Sequence, residues 1–246
     1  MGLDLDCEII DPRYDKRRRG EYADELHELR GRRGISQLDA IELLKQPTWF
    51  APMMVRMGDA DGYLGGVSHN YPDIVKPCLK IIGTSEDAHR VVGSYMMTVG
   101  GQVMFIADAT ININPDARTL AEIAVRTSRV ARRFGVKPKV AMLSFSNFGS
   151  SGELRTTRIE ESIIMAREID PDIVIDGPMQ ADTALVSEQQ TDFPFMTFKG
   201  PANVLICPSL ESANIAYKLL QRLAGAEMTG PIPVSYTHLR AHETKA

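Results

Sequence analysis

From about residue 103 onward the chain alternates short apolar runs with longer amphipathic ones, and few folds accept that order. The runs 103–109, 139–145, 172–175 and 204–207 read as strands with little polar character on either face. Each precedes a helical stretch, over 116–134, 155–169, 180–187 and 210–224 in turn. Continuous apolar strands suit a sheet covered on both sides. Consecutive strand–helix pairs predict parallel strands joined by right-handed crossovers, with helices on both faces. The expected fold class is therefore α/β, a three-layer α/β/α arrangement around a mostly parallel sheet. The N-terminal part reads differently. Residues 12–33 form a charged helix with Leu26 and Leu29 as a thin apolar stripe, ended by Gly34. Ser36 with Asp39 caps a second helix, Pro47 opens a third through Met57, Pro72 opens another, and 63–67 reads as a short strand.

Charge and cysteine usage exclude several classes of function. Lys and Arg total 28 against 32 Asp and Glu, a net charge of -4, so no strong field draws the chain to nucleic acid or to an acidic membrane. The basic cluster 16–19 is interleaved with acids and reads as a solvated helix face. No apolar run is long enough to cross a bilayer, and the opening MGLDLDCEIIDP lacks the basic and apolar regions of a signal peptide. Cys7, Cys78 and Cys207 form no CxxC, which suits a reducing compartment and provides no metal framework. The expectation is a cytoplasmic protein without nucleic acid, membrane or metal among its partners. The twelve Met residues, dense at Met53, Met54, Met57, Met96 and Met97, read as core filler. Residues 234–246 have the form of a translated transposase sequencing adapter, a foreign tail set aside from the functional reading.

In open parallel sheets ligands gather at the carboxyl ends of strands, which points to 107–115, 144–153, 176–182 and 208–210. The run SFSNFGSSG over 144–152 lies between a strand and a helix. Small residues and hydroxyls there suit a phosphate, or equally a capped turn; the Gly-Lys-Ser/Thr of a P-loop is absent. Asp176 is expected at a strand's carboxyl end and Asp182 in the next helix, where they can hold a cation, orient a base or cap the helix. Asp108, Asn112 and Asn114 either close a turn or serve a ligand. His69, in Ser68-His69-Asn70-Tyr71, is an acid, a base, a phosphate donor or plain surface.

Five separated motifs, GDADGYLGGVSHNYPDIVKPCLKIIGT (58–84), FIADATININPDARTLAEIAV (105–125), PKVAMLSFSNFGSSG (138–152), VIDGPMQADTAL (174–185) and GPANVLICPSLESANIAYKLLQRLAGAEMTGPI (200–232), resemble the phosphate acetyl/butyryltransferase family, collinearly from about Glu8 to Ile232. The resemblance implies two α/β subdomains with a cleft between them, similar to isocitrate and isopropylmalate dehydrogenases. It also implies transfer of an acetyl group between coenzyme A and phosphate. On it, 1–87 is the incomplete first subdomain and 88–233 the second. The family's opening units and its Ser-Arg-Gly loop would lie outside the chain, which alone is expected to be inactive. Members pair through helices of the second subdomain, so a homo-oligomer is expected, with Ile215, Leu219 and Leu223 as a candidate face.

Certain residues depart from the family pattern. The run Ser146-Asn147-Phe148-Gly149-Ser150 replaces the usual Ser-Thr followed by a small residue or Lys, and resembles the transferase-like C-terminal domain of bacterial NADP-dependent malic enzymes. Gly83 stands where transferases carry Lys or Arg, Lys76 where they carry Arg, and Ala109 where many carry Cys. Lys lacks the planar fork of Arg, and loss of the charge at Gly83 removes a charge-assisted hydrogen bond of about 1.5–3 kcal/mol. The leading expectation is thus an acetyl-CoA-responsive regulatory domain of such a malic enzyme. NADP and a divalent metal would then belong to an upstream domain, since no GxGxxG follows a strand here. The alternative is a phosphotransacetylase in which Asp182 orients or deprotonates the CoA thiol. Its acyl-phosphate and CoA ligands would be held by Ser144, Ser146, Asn147, Gly149, Ser150, Asp176, Lys76 and His69. A metal-dependent hydroxy-acid dehydrogenase using Asp176 and Asp182 rests on fold analogy alone.

Overall fold

Asp15 starts the first helix by accepting a hydrogen bond from Arg18 N at 3.0 Å, as an N-cap does for an otherwise orphaned amide. The computed structural model describes residues 7–65, 68–83, 91–150 and 154–233. Those up to Gly83 form one compact unit and those from Val91 to Pro233 a second.

The first unit is helical: α1 (Lys16–Arg30), α2 (Gln37–Leu43), α3 (Pro47–Met57) and α4 (Tyr71–Ile81). The Ser36–Asp39 pair forms a reciprocal capping box at α2, Pro47 occupies the first turn of α3, and Gly58 ends it at φ 83°. Tyr22, Leu26, Leu44, Phe50, Met53 and Ile81 are at most 2% exposed and make its core. Tyr22 donates its hydroxyl to Asp59. Arg56 ties α3 to α1 through Glu25 at 2.8 Å and to α4 through the Ile81 carbonyl at 3.1 Å. The strand expected over 63–67 is not formed at 63–65, and its last two residues lie outside the described residues. Among the described residues of this unit the run between Gly62 and Gly65 finds only helices, so a strand there would have no ladder partner among them.

The second unit is a six-stranded sheet. In chain order it comprises β1 (Gly93–Val99), β2 (Gln102–Ala107), α5 (Ala117–Arg133), β3 (Val140–Leu143), α6 (Leu154–Ile169), β4 (Ile175–Met179), α7 (Ala181–Leu185), β5 (Val204–Ile206), α8 (Leu210–Leu223) and β6 (Glu227–Pro233). The strands lie in the order β4-β3-β5-β2-β1-β6. The first four in that order are mutually parallel; β1 is antiparallel to both β2 and β6. Period-two alternation sorts the central strands between two cores. Phe105, Ala107, Val140, Met142, Val204 and Ile206 face α5 and α6. Ile106, Ala141 and Leu205 face α7, α8 and the segment around Phe198. Burying each large side chain of this kind contributes about 1.5–3 kcal/mol. The three layers and mostly parallel sheet expected from the sequence are present.

Both edges differ from the sequence reading. β4 begins three residues later than expected and runs through Gly177 and Pro178, so Asp176 is the second residue of the strand rather than its carboxyl end. β6 contains Pro231 and Pro233. Proline cannot donate to a ladder and is tolerated on an edge, which is why the Gly177-Pro178 half of β4 reads as a loop and β6 does not read as a strand. β1 was also not read, although Gly100 and Gly101, at φ 58° and 76°, form the two-residue turn that pairs it with β2. Met96 and Met97 pack in this unit and Met53 and Met54 in the first, while Met57 is 42% exposed. Ile215, Leu219 and Leu223 are 60%, 52% and 82% exposed; α8 covers the sheet with Ala213, Tyr217 and Leu220 instead. Among the described residues no helix is long and apolar enough to cross a membrane.

Candidate functional site

Strands β2, β3 and β5 finish level with one another, since Ala107 and Met142 both align with Ile206. The segments that follow them therefore emerge together at the carboxyl edge of the sheet, where a parallel sheet presents its ligand site.

After β2, Asp108 is 2% exposed and its carboxylate closes the turn. Oδ1 accepts from Thr110 N at 3.0 Å and Ile111 N at 3.2 Å. Oδ2 accepts from Asn112 N at 3.0 Å and Asn112 Nδ2 at 2.5 Å. Asn112 also donates to the Val91 carbonyl at 2.9 Å. The structural half of the sequence reading thus accounts for Asp108 and Asn112, while Asn114 faces elsewhere.

After β3, the segment 144–150 is stitched to the end of β4. Ser144 N donates to Met179 O at 2.8 Å and Phe148 N to Pro178 O at 2.7 Å. Asn147 Oδ1 accepts from Gln180 N at 2.8 Å, and Gln180 Nε2 donates to Phe145 O at 2.7 Å. Phe148 sits at φ 43°, with its ring 5.0 Å from that of Phe193 and 4.9 Å from that of Phe195. Gly177 permits the close approach of β4: at φ 139°, an added Cβ would lie 2.6 Å from Met142 O. Within this segment Ser146 is 7% exposed, yet among the described residues its hydroxyl has no hydrogen-bond partner. Buried hydroxyls are otherwise almost always bonded, so this exception calls for an explanation. Ser144 is half-buried, and Gly149 and Ser150 are exposed; residues 151–153 lie outside the described residues.

The two carboxylates differ. Asp176 is 9% exposed and is held by Gly177 N at 2.9 Å and Thr197 N at 2.6 Å, so it anchors the segment that carries Phe193 and Phe195. Asp182 is exposed in the first turn of α7, accepting from Thr183 N at 2.8 Å. His69 and Lys76 belong to the first unit. Both are exposed, with His69 Nδ1 3.2 Å from Ser68 Oγ. Gly83 follows α4 at φ 77°. The structure thus brings Ser144 to Ser150 together with Gln180, one residue from α7, and sets His69 and Lys76 in the other unit. Among the described residues no three His, Cys, Asp or Glu side chains gather as a metal site.

A cavity of about 480 Å³ opens beside this segment. Its apolar walls are Ile113, Phe145, Ile159 and Pro208; Asn114, Ser144, Arg158 and Ser209 supply polar groups, and Glu211 lines it from the first turn of α8. Ser209 lies in the 208–210 loop expected from the sequence, whereas Arg158 and Glu211 do not belong to any of the expected loops. The available signal was an Arg five residues into the helix that follows a Gly/Ser-rich loop. Cys207, just after β5, is buried, which pushes its thiol up to about 12.

The sequence profile of the phosphate acetyl/butaryl transferase family matches residues 1–237. The chain belongs to this family. It is 39% identical over 244 residues to the phosphate acetyltransferase of Thermoanaerobacterium thermosaccharolyticum, covering 94% of this chain and 73% of that protein. With the Bacillus subtilis phosphate acetyltransferase it shares 40% over 194 residues, 78% of this chain and 60% of that protein. The Nitratidesulfovibrio vulgaris phosphate acetyltransferase is 37% identical over 235 residues, yet the match spans only 33% of its length. Among solved structures, a phosphotransacetylase from Streptococcus pyogenes superposes with a TM-score of 0.89 at 35% identity, over 96% of this chain and 72% of that one. EutD phosphotransacetylase from Staphylococcus aureus gives 0.86 at 35%, over 94% and 71%. These relatives are all phosphate acetyltransferases, and the expected malic-enzyme regulatory domain, with its NADP and oxidoreductase chemistry, finds no support among them. The Asn147-Phe148 pair that motivated it has a local explanation instead, in the Gln180 bonds and the Phe193–Phe195 cluster.

Proposed function

We propose that the protein is a phosphate acetyltransferase, moving an acetyl group between acetyl phosphate and the thiol of coenzyme A. The observation that carries this reading is the family match along nearly the whole chain to relatives of that name. The local geometry is consistent with it. A desolvated, unbonded Ser146 hydroxyl and the nearby Ser144 hydroxyl are donors that cost little to reorganise when a phosphoryl or carbonyl oxygen arrives. The clamp between the 144–150 segment and Gln180 keeps them in place.

In the forward direction the thiol loses its proton, sulfur attacks the acetyl carbonyl carbon, and the bond from that carbon to the bridging phosphate oxygen breaks. Acetyl-CoA and inorganic phosphate result. Asp182, an exposed carboxylate at the start of α7, takes the role of orienting the thiol or accepting its proton. Ser144, Ser146, Asn147, Gly149 and Ser150 form the phosphate-facing segment, supported by Asp176. Positioning the two reactants supplies most of the acceleration in such a direct transfer. The test is thioester formation from acetyl phosphate and CoA by the full-length protein, because the chain spans only part of its relatives' length. Turnover on the order of 1–1,000 per second supports the reading. Binding of acetyl-CoA with no turnover would replace it with a regulatory role.

A further inference from the structure

The cavity beside the 144–150 segment contains a cation that forms no ion pair among the described residues. Arg158 Nη1 donates to Asn114 Oδ1 at 2.8 Å and Nη2 to the Pro208 carbonyl at 3.1 Å. Its Nε is buried and has no partner. Each of these acceptors is neutral, and among the described residues Arg158 makes no ion pair. A guanidinium offers five N–H donors, so the fork retains capacity on the atoms that are already oriented. Half-buried charge of this kind is stabilised when an anion joins it.

The rest of the cavity matches that requirement. Ser209 caps α8, a helix of 14 residues, and the N-terminus of a helix adds partial positive charge. Ser144 lines the same space. Glu211 also lines it but is exposed, so water screens its charge more than that of Arg158. The volume of about 480 Å³ far exceeds what a lone anion fills and falls within the range of about 300–1,000 Å³ typical of small-molecule sites. Ile113 and Phe145, 66% and 58% exposed, give it an apolar side for a carbon body attached to the anion.

We propose that this cavity is a phosphate-recognition pocket with Arg158 as its anchoring cation. The choice of phosphate over carboxylate rests on the transferase reading, in which both substrates carry phosphate. The phosphate is either that of acetyl phosphate and its product or one belonging to CoA, and the two sources separate kinetically.

The experiment compares the protein with Arg158→Gln, Arg158→Lys and Ile113→Glu. Calorimetry with inorganic phosphate and with CoA is combined with the KM for each substrate. Arg158→Gln should weaken phosphate or CoA binding more than tenfold, and Arg158→Lys should regain part of the loss. Ile113→Glu, at an exposed position, should weaken the same ligand several-fold by repulsion while leaving the melting temperature unchanged. If acetyl phosphate is the source, its KM alone rises; if CoA is, the KM for CoA rises and dephospho-CoA or pantetheine reproduces the defect in the unmodified protein. The proposal is overturned if all three variants bind both ligands within twofold of the parent, or if the parent binds neither. A parent without turnover but with Arg158-dependent phosphate binding would overturn the transferase reading and leave the pocket standing. Normal turnover with an unchanged KM in Arg158→Gln and Ile113→Glu would do the reverse.

Discussion

Replacing Asp108 by Ala should destabilise the second unit more than any other single polar substitution near the site. Asp108 is 2% exposed and Asn112, its principal partner, 6%. The substitution strands four N–H donors, on Thr110, Ile111 and twice on Asn112. The Asn112 side chain keeps the Val91 carbonyl, but its buried backbone N–H loses the carboxylate it donates to, at about 1–3 kcal/mol, and the remaining bonds contribute about 0.5–1.5 kcal/mol each, with the less buried ones at the low end. The total is about 3–5 kcal/mol. A domain of this size shifts by about 2–4 °C per kcal/mol, which gives a fall of about 6–20 °C. Asp108→Asn keeps one acceptor but turns an NH2 toward Asn112 or Thr110, so it should fall in between. The melt should be followed by calorimetry and far-ultraviolet circular dichroism, because the one tryptophan, Trp49, lies in the first unit and does not report on this one. Hydrogen exchange at the Thr110, Ile111 and Asn112 amides provides the local readout. A shift below about 2 °C with unchanged exchange at those amides would refute the claim that the carboxylate holds this turn together.

The thiols should divide by burial. Cys7 is exposed whereas Cys78 and Cys207 are buried, and burial pushes the latter two up to about 11 and about 12. Because only the thiolate reacts readily, a thiol reagent near neutral pH should modify one cysteine promptly and two more only after denaturation; three fast equivalents would contradict the burial. The same shifts set a pH dependence. Above the ordinary thiol value the unfolded chain releases protons that the native chain retains, so the unfolded state binds fewer and stability falls as pH rises. Tyr22, held above its ordinary value first by burial and then by its bond to Asp59, acts in the same direction. The urea midpoint should therefore drop between about pH 8 and about pH 11, and the slope should flatten in a Cys78→Ala, Cys207→Ala double variant. An identical slope in that variant would exclude the thiols as its source.

The central strands and their helices were legible because a strand buried on both faces has no polar side to disguise it, and because caps such as Ser36 with Asp39 and Asp116 write helix starts locally. The outer strands were legible only at the start of β4. Gly-Pro in β4 and again in β6 is the grammar of a loop, and only a place at the edge of a sheet makes it compatible with a strand. The candidate site divides in the same way. That 144–152 is an unusual segment could be seen in its composition, but the departure at Asn147 and Phe148 looked like a functional change until the structure set their side chains against Gln180, Phe193 and Phe195.

Taken alone, the sequence determined which segments are strands and helices in the middle of the sheet, that their order demands parallel pairing, and which loops share one edge. Those properties follow from local periodicity and chain connectivity. Tertiary structure decided the rest, because it depends on atoms far apart in the chain. Asp176 meets Thr197 at a separation of 21 residues, and Arg158 reaches Asn114 across 44 and Pro208 across 50. A carboxylate becomes an anchor, or a guanidinium the charged wall of a cavity, only when folding removes water and supplies such neighbours.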